Sequence, residues 1–427
     1  MPIRRKIGLL LAKAETTEGT DPTPTPAANA ISVVRNTVSF DAQSDPIVRE
    51  ILDGGLSIIP GDNALPRVKL SFSIELKGNL SSKTLHTATA VTADDTADTF
   101  TTVAAHALVA GDLIQVNGSV APTGTTLGTW YYVISSGLTS TAFKFSATLG
   151  GSAVNFSSTG TSVTIASAVP DISAGSSTYA LRSHPLFAAC DMAATYTAES
   201  ATGARDGYVT YNPTIPVGDS SLPAGPTCTF YFYDHVKLHK ITAAKGTVKF
   251  RTEAGKYCYA DFEFMGLYNA PTDATFSTVL STVTYDTDTK PPMFKAQSIT
   301  YGSYAPVLSK INMDLANRVN MRESAVATDG LSGFIVTSRE SKGDFDPEAV
   351  AEATNPFWAD WKAATVKTFT VPIGSASGNR VTMTAIGQQR NVTYADRNEI
   401  TIHNVQFGIC RSALSSALGT DLAVKFS

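Results

Sequence analysis

The 427-residue sequence predicts a mainly β protein: two tandem β-sandwich or half-barrel domains, each flanked by one short α-helix, with a small all-β domain inserted into the first. Three observations predict it. Charged residues are only 16% of the chain, against a usual ~25%, while Thr, Ser, Ala and Gly abound, a balance that favours strands over helical bundles. Four short motifs recur in the same order in both halves, the mark of an internal duplication. Between two of them, one half carries a block of quite different composition.

The opening MPIRRKIGLLLAKAE has the basic residues and apolar run of a secretion signal, but the run from Ile7 to Ala12 is six residues and Lys13 interrupts the cleavage-like site, so it is not read as a signal. The first repeated motif follows: NTVSFDAQSDPIVRE (36–50) lies without gaps on SKINMDLANRVNMRE (309–323), Phe40 on Met313 and Arg49 on Arg322. Apolar and polar positions alternate in both, as a half-buried strand requires. A loop with Leu56, Ile58 and Ile59 among Gly and Pro comes next, and its counterpart at 324–333 reads as eight residues shorter. The second motif is IELKGN (74–79) against RESKGD (339–344), a strand ending in Lys-Gly.

From Lys77 to the helix proline Pro185 is 108 residues, but from Lys342 to Pro356 only 14, an excess of 94. Residues 85–178 fill that excess with short β-prone runs (LIQV, WYYVIS, FKF, VTI) set between Gly and Pro turns. The domains are therefore drawn as 1–84 with 179–290, the insert 85–178, and 291–427.

HPLFAACDMAAT (184–195) and NPFWADWKAAT (355–365) are the third motif, short helices with Pro185 and Pro356 at the first helical position. Leu186, Phe187 and Cys190, and likewise Phe357, Trp358 and Trp361, fall on one face and are expected to pack on a sheet, since so short a helix is marginal alone. TFYFYDHVKLHKI (229–241) reads as one long strand joined at AAKG to GTVKFRT (246–252), and VKTFTVPIG with NRVTMTAIG (366–374, 379–387) makes the matching hairpin. The last motif is a closing strand ending in glycine, YCYADFEFMG (257–266) against EITIHNVQFG (399–408); 269–292 reads as a linker.

Chemistry is sparse. Cys190, Cys228, Cys258 and Cys410 have no CxxC spacing and read as reduced thiols. His235 and His239, on a strand, would stand roughly 13 Å apart at ~3.3 Å per residue, too far to share a metal. Asp94, Asp95 and Asp98 read as solvated surface, and Asp344, Asp346 and Glu348 as a helix start at Pro347 rather than a calcium loop. No catalytic, cofactor or metal site is expected. Net charge is −4, from 33 Lys plus Arg against 37 Asp plus Glu, so no basic surplus calls for nucleic acid. The insert itself carries −4, leaving the duplicated body neutral. No run reaches the ~18 apolar residues of a membrane helix, which predicts a soluble chain.

The succession LLLAKAETTEGTDPTP, ISVVRNTVSF, RVKLSFSIELKGN, HPLFAACDMA, FYFYDHVKLHKITAAKGTVKF and DFEFMGLYNAP, covering all but 85–178, resembles the major tail tube protein of long-tailed bacteriophages with non-contractile tails. In that family a β-sandwich with one helix forms rings around an inner β-barrel, and stacked rings make the conduit through which the genome is ejected. The resemblance implies a structural virion protein and no enzyme. With two such folds per chain it implies a homotrimer forming a pseudo-hexameric ring. It also implies that the loop bearing Leu56, Ile58 and Ile59 reaches the neighbouring ring. The partners it implies are further copies of the chain, the tape measure protein, the tail terminator and distal tail proteins, and double-stranded DNA passing through the lumen unbound. No cofactor and no membrane are implied; the place is the virion tail, after synthesis in the host cytoplasm. The insert is expected to point outward. Two other classes remain in view: a trimeric adhesin or fibre binding surface glycans, and a β-sandwich cell-wall or carbohydrate-active enzyme, which would need a carboxylate pair.

Overall fold

The computed structural model describes residues 8–51, 57, 59–78, 89–103, 106, 108, 110, 113–148, 151–167, 181–197, 208–214, 226–285, 290–375, 379–413 and 419–427. The chain is mainly β. It divides into two compact units: Met1–Asn79 with Ala180–Thr195 and Val209–Ser427, and Leu80–Tyr179 with Tyr196–Tyr208.

In the larger unit the chain begins with β1 (Gly8–Ala14), α1 (Pro26–Asn29), β2 (Ala30–Ile31), β3 (Ser39–Arg49) and β4 (Ile59–Glu75). The apolar run at the N-terminus forms a strand: Leu10 and Leu11 are buried, and β1 pairs with β2. In β4 the alternation of RVKLSFSIE puts Val68, Leu70, Phe72 and Ile74 into the core.

The smaller unit holds β5 (Thr89–Asp94), β6 (Thr99–Thr102), β7 (Leu113–Asn117), β8 (Trp130–Ile134), β9 (Ala142–Ser146) and β10 (Thr164–Ser167), closed into a six-stranded barrel. Closure leaves no bare edge. Its own core is aromatic, with Phe100, Phe143, Phe145 and Phe156 fully buried and Phe100 5.5 Å from Phe156 between ring centroids. Asp94 accepts from the amides of Thr96 and Ala97, and Asp98, at φ 54°, from that of Phe156, so two of the three clustered acids shape a turn.

The larger unit resumes with α2 (His184–Ala189), β11 (Met192–Thr197), β12 (Tyr208–Pro213), β13 (Cys228–Asp234), β14 (Lys237–Glu253) and β15 (Tyr259–Tyr268). The strand read across 229–241 is two strands, because His235, at φ 56°, and Val236 form a tight turn that pairs Asp234 with Lys237. AAKG is no turn either. It is a bulge inside the 17-residue β14, where one extra residue faces β15 between Thr242 and Lys245. Two buried acids hold that bulge: the Ala243 amide donates to Glu15 at 2.8 Å and the Lys245 ammonium to Asp191 at 2.5 Å.

The segment expected to link the halves carries β16 (Thr272–Asp273), paired to β14, and α3 (Phe276–Leu280), whose Phe276 is buried against Tyr233. Then follow β17 (Thr300–Tyr301), β18 (Leu308–Asp314), β19 (Asn317–Glu323), β20 (Leu331–Arg339), β21 (Lys342–Pro347), α4 (Phe357–Lys362), β22 (Val366–Ile373), β23 (Val381–Arg397), β24 (Ile400–Ile409) and β25 (Leu422–Phe426). Strand continues through Pro347, and Glu348 bridges Ile402, so GDFDPEAV starts no helix. Pro356 is the N-cap of α4, one position before the place expected.

Eight of these strands form one continuous antiparallel run, β3-β4-β15-β14-β18-β21-β24-β23. Its first four and last four repeat the same succession of ladders. Phe40 faces Leu70, which faces Phe264, which faces Gly246; Met313 faces Gly343, which faces Phe407, which faces Gln389. Phe40 thus matches Met313 as the sequence aligned them. Two other anchors move. Lys342 matches Lys69 rather than Lys77, so thirty residues separate Phe40 from Leu70 and thirty separate Met313 from Gly343, and the eight-residue difference in loop length disappears. The closing strands slip by one, since Gly266 is buried while Gly408 is the partly exposed neighbour of buried Phe407; a slip of one residue turns every side chain to the other face. Gly343 is required for its own reason, because a Cβ there would stand 2.3 Å from the Phe407 ring.

Candidate assembly surfaces

The two sets of four strands meet where β14 pairs with β18, from Lys249 with Asp314 to Glu253 with Lys310. At the centre of this seam Phe250 and Met313 face each other, both fully buried. Along one margin, then, β14 is covered first by β13 and further on by β18. β23 is built alike, with β22 on residues 381–388 of the same margin. Beyond that, among the described residues, 389–397 have β24 on one side and no strand on the other. Among the described residues β3, the counterpart of β18, likewise pairs only with β4. The run of eight therefore ends in two open edges, and they match the two sides of its own seam.

The side chains follow suit. Tyr394, at the position equivalent to Phe250, is 62% exposed where Phe250 is 0%. It leans on Trp358, whose indole N–H donates to its hydroxyl. Trp361 is 45% exposed and donates to the Arg390 carbonyl at the β23 bulge. Of the side chains expected to pack from the helices, Leu186, Phe187 and Cys190 are fully buried under α2 and Phe357 under α4. Trp358 is half-buried, and Trp361 lies beside the open stretch of β23 rather than on a covered face. No sequence pattern signals this, because a Trp at helical spacing looks the same whether or not the next strand is present.

The β3–β4 hairpin is an arm of two long strands, with Asp45 facing Ala64 and Arg49 facing Ile59. Ile59 opens β4; Leu56 and Ile58 lie outside the described residues. On the arm Ile47, Val48 and Ile51 are all more than half exposed. The outward face of the run balances its charges: Lys69 pairs with Glu263 at 2.8 Å, Arg251 with Asp261 at 3.0 Å, and Lys249 stands opposite Asp314 across the seam.

The other candidates are occupied by their own neighbours. Asp346 accepts from the Ser309 and Lys310 amides and from Arg397, Glu348 pairs with Arg397 at 2.9 Å, and Asp344 accepts from Asn312. His239, on β14, packs on Phe40 at 4.5 Å, while His235 sits in the turn that precedes that strand. Among the described residues no group of three His, Cys, Asp or Glu is placed to share a metal ion. All four thiols are free, and burial pushes them up, Cys190 and Cys228 far above the usual range and Cys258 to about 12. Because the thiolate is the reactive form, the native protein at pH 8 is expected to react with a disulfide reagent at Cys410 alone and slowly. Four equivalents should appear only after unfolding, and thiol titration with and without denaturant checks this.

No protein-family model matches the chain, and no curated protein is similar to it.

Proposed function

We propose that the protein is a structural ring former that stacks into a tail tube of the kind its sequence resembles, a hollow conduit for DNA. The observation that carries the reading is the seam: a chain that joins its two halves through β14 and β18 also ends in the two edges of that same joint. Repeating it from chain to chain is a head-to-tail contact, which closes into a ring when the rotation allows. An open edge invites uncontrolled pairing, and closure into a barrel removes it. With two equivalent halves per chain, three chains give a pseudo-hexameric ring of 24 strands at eight per chain. The balanced outward face suits a bore, because each phosphate neutralised by a basic wall would add salt-dependent grip on passing DNA.

On this reading the partners are further copies of the chain, the tape measure, terminator and distal tail proteins, and DNA in transit. The tip around Leu56, Ile58 and Ile59 reaches the next ring, and the protein resides in the virion tail. It has no catalytic role. Negative-stain microscopy of the purified chain tests it: threefold rings or hollow tubes are the expected image, and uniform monomers at every concentration would sink it.

A further inference from the structure

The chain has two arms of equal length, β3–β4 and β19–β20, and among the described residues only β19–β20 covers a helix end. The β19–β20 arm lies on the first half. Asn317 donates to the Cys190 carbonyl at the end of α2, at 2.7 Å, and to that of Gly246 at 3.0 Å. Arg339 donates to the Thr214 carbonyl, and Arg322 pairs with Glu18 at 2.7 Å. Under this cover Cys190 and Asp191 are buried. The matching place on the second half is bare: Trp361, Ala363 and Ala364 at the end of α4 are exposed. The two helix ends are alike in backbone, since Asp191 and Ala364 follow their helices at φ 55° and 53°.

We propose that the β3–β4 arm of one chain lies on the second half of the next, covering the end of α4 as the β19–β20 arm covers the end of α2 within a chain. The occupant is a second copy, because among the described residues the surface shaped like this chain's covered helix end is the uncovered one it also carries. Ile47, Val48 and Ile51 supply the apolar side of the contact and Trp361 receives it. Ser44, the equivalent of Asn317, comes to the Ala363 carbonyl of the neighbour. The arm's stem thus clamps its own ring sideways. This rests on the ring reading above, and the test separates the two.

Two cysteine pairs are introduced into the full chain carrying Cys410→Ser, and each is oxidised after assembly. Asp41→Cys with Thr393→Cys reports the edge-to-edge joint; Ser44→Cys with Ala363→Cys reports the arm. Non-reducing gels are expected to show linked chains up to a closed trimer for both pairs and none for any single variant. Links through the edge pair without links through the arm pair would overturn the arm and leave the ring. An arm ladder extending past three chains would mean contact between rings and would also overturn it. Absence of links from both pairs would bring down the ring reading itself. As a second measurement, Ile47→Asp with Val48→Asp changes only exposed side chains. It is expected to raise the concentration needed for rings by about tenfold or more, as the loss of ~1.4 kcal/mol or more requires; rings at the wild-type concentration would count against the arm.

Discussion

Lys245→Ala is expected to cost about 3–5 kcal/mol of folding stability, and Asp191→Ala as much, whereas Lys245→Met with Asp191→Asn, which tolerates the φ of 55° there, should lose much less than either. The Lys245 side chain is 0% exposed and that of Asp191 5%. Removing either partner leaves the other charge buried without its ion-pair partner. Removing both removes the desolvation cost as well. The site also explains the placement of the ions: Lys245 sits in the β14 bulge and Asp191 just past α2, so the pair ties the helix to the sheet at the place where Asn317 from the second half arrives. Urea unfolding of the four species, treated as a double-mutant cycle, checks this. A coupling energy near zero would remove the role assigned to the pair.

Thr393→Asp should abolish ring assembly while leaving the chain folded. Thr393 is exposed on the open edge and equivalent to Lys249, which faces Asp314 across the seam; in the joint between chains it would face Asp41, the equivalent of Asp314. Like charges directly opposite on paired strands repel. Thr393→Lys copies the internal seam and should assemble at least as well as the wild type. Thr393→Asp with Asp41→Lys restores opposite charges and should recover rings. Sedimentation velocity reads mass and circular dichroism reads folding. Rings formed equally by all the variants would show that β3 and β23 do not meet.

Much of the architecture was legible because the strands of this chain write their period plainly. The alternation around Phe40 and Met313 survives in the ladders to the residue, and the insert's short runs all became strands of the small barrel. The misread bends share an origin: a polar or glycine-bearing tetrapeptide says that the backbone bends, but not whether the bend is a turn, a bulge or a strand end. AAKG is buried because Glu15 and Asp191, 228 and 54 residues away, satisfy it. Lys77-Gly78 and Lys342-Gly343 look alike, yet one follows its strand and the other opens one, where the Phe407 ring demands a glycine. Spacing alone puts Trp361 in the core, and spacing does not reveal that β23 is uncovered at that point.

By itself the sequence determined the mainly β fold, the tandem ordering of similar segments and the separate character of 85–178, because side-chain periodicity and composition are properties of neighbours along the chain. Only the tertiary structure decided the register between distant strands, the seam of β14 on β18 and the two edges left open. Those depend on which surfaces meet across hundreds of residues, and a strand edge carries the same backbone groups whether or not another strand lies beside it.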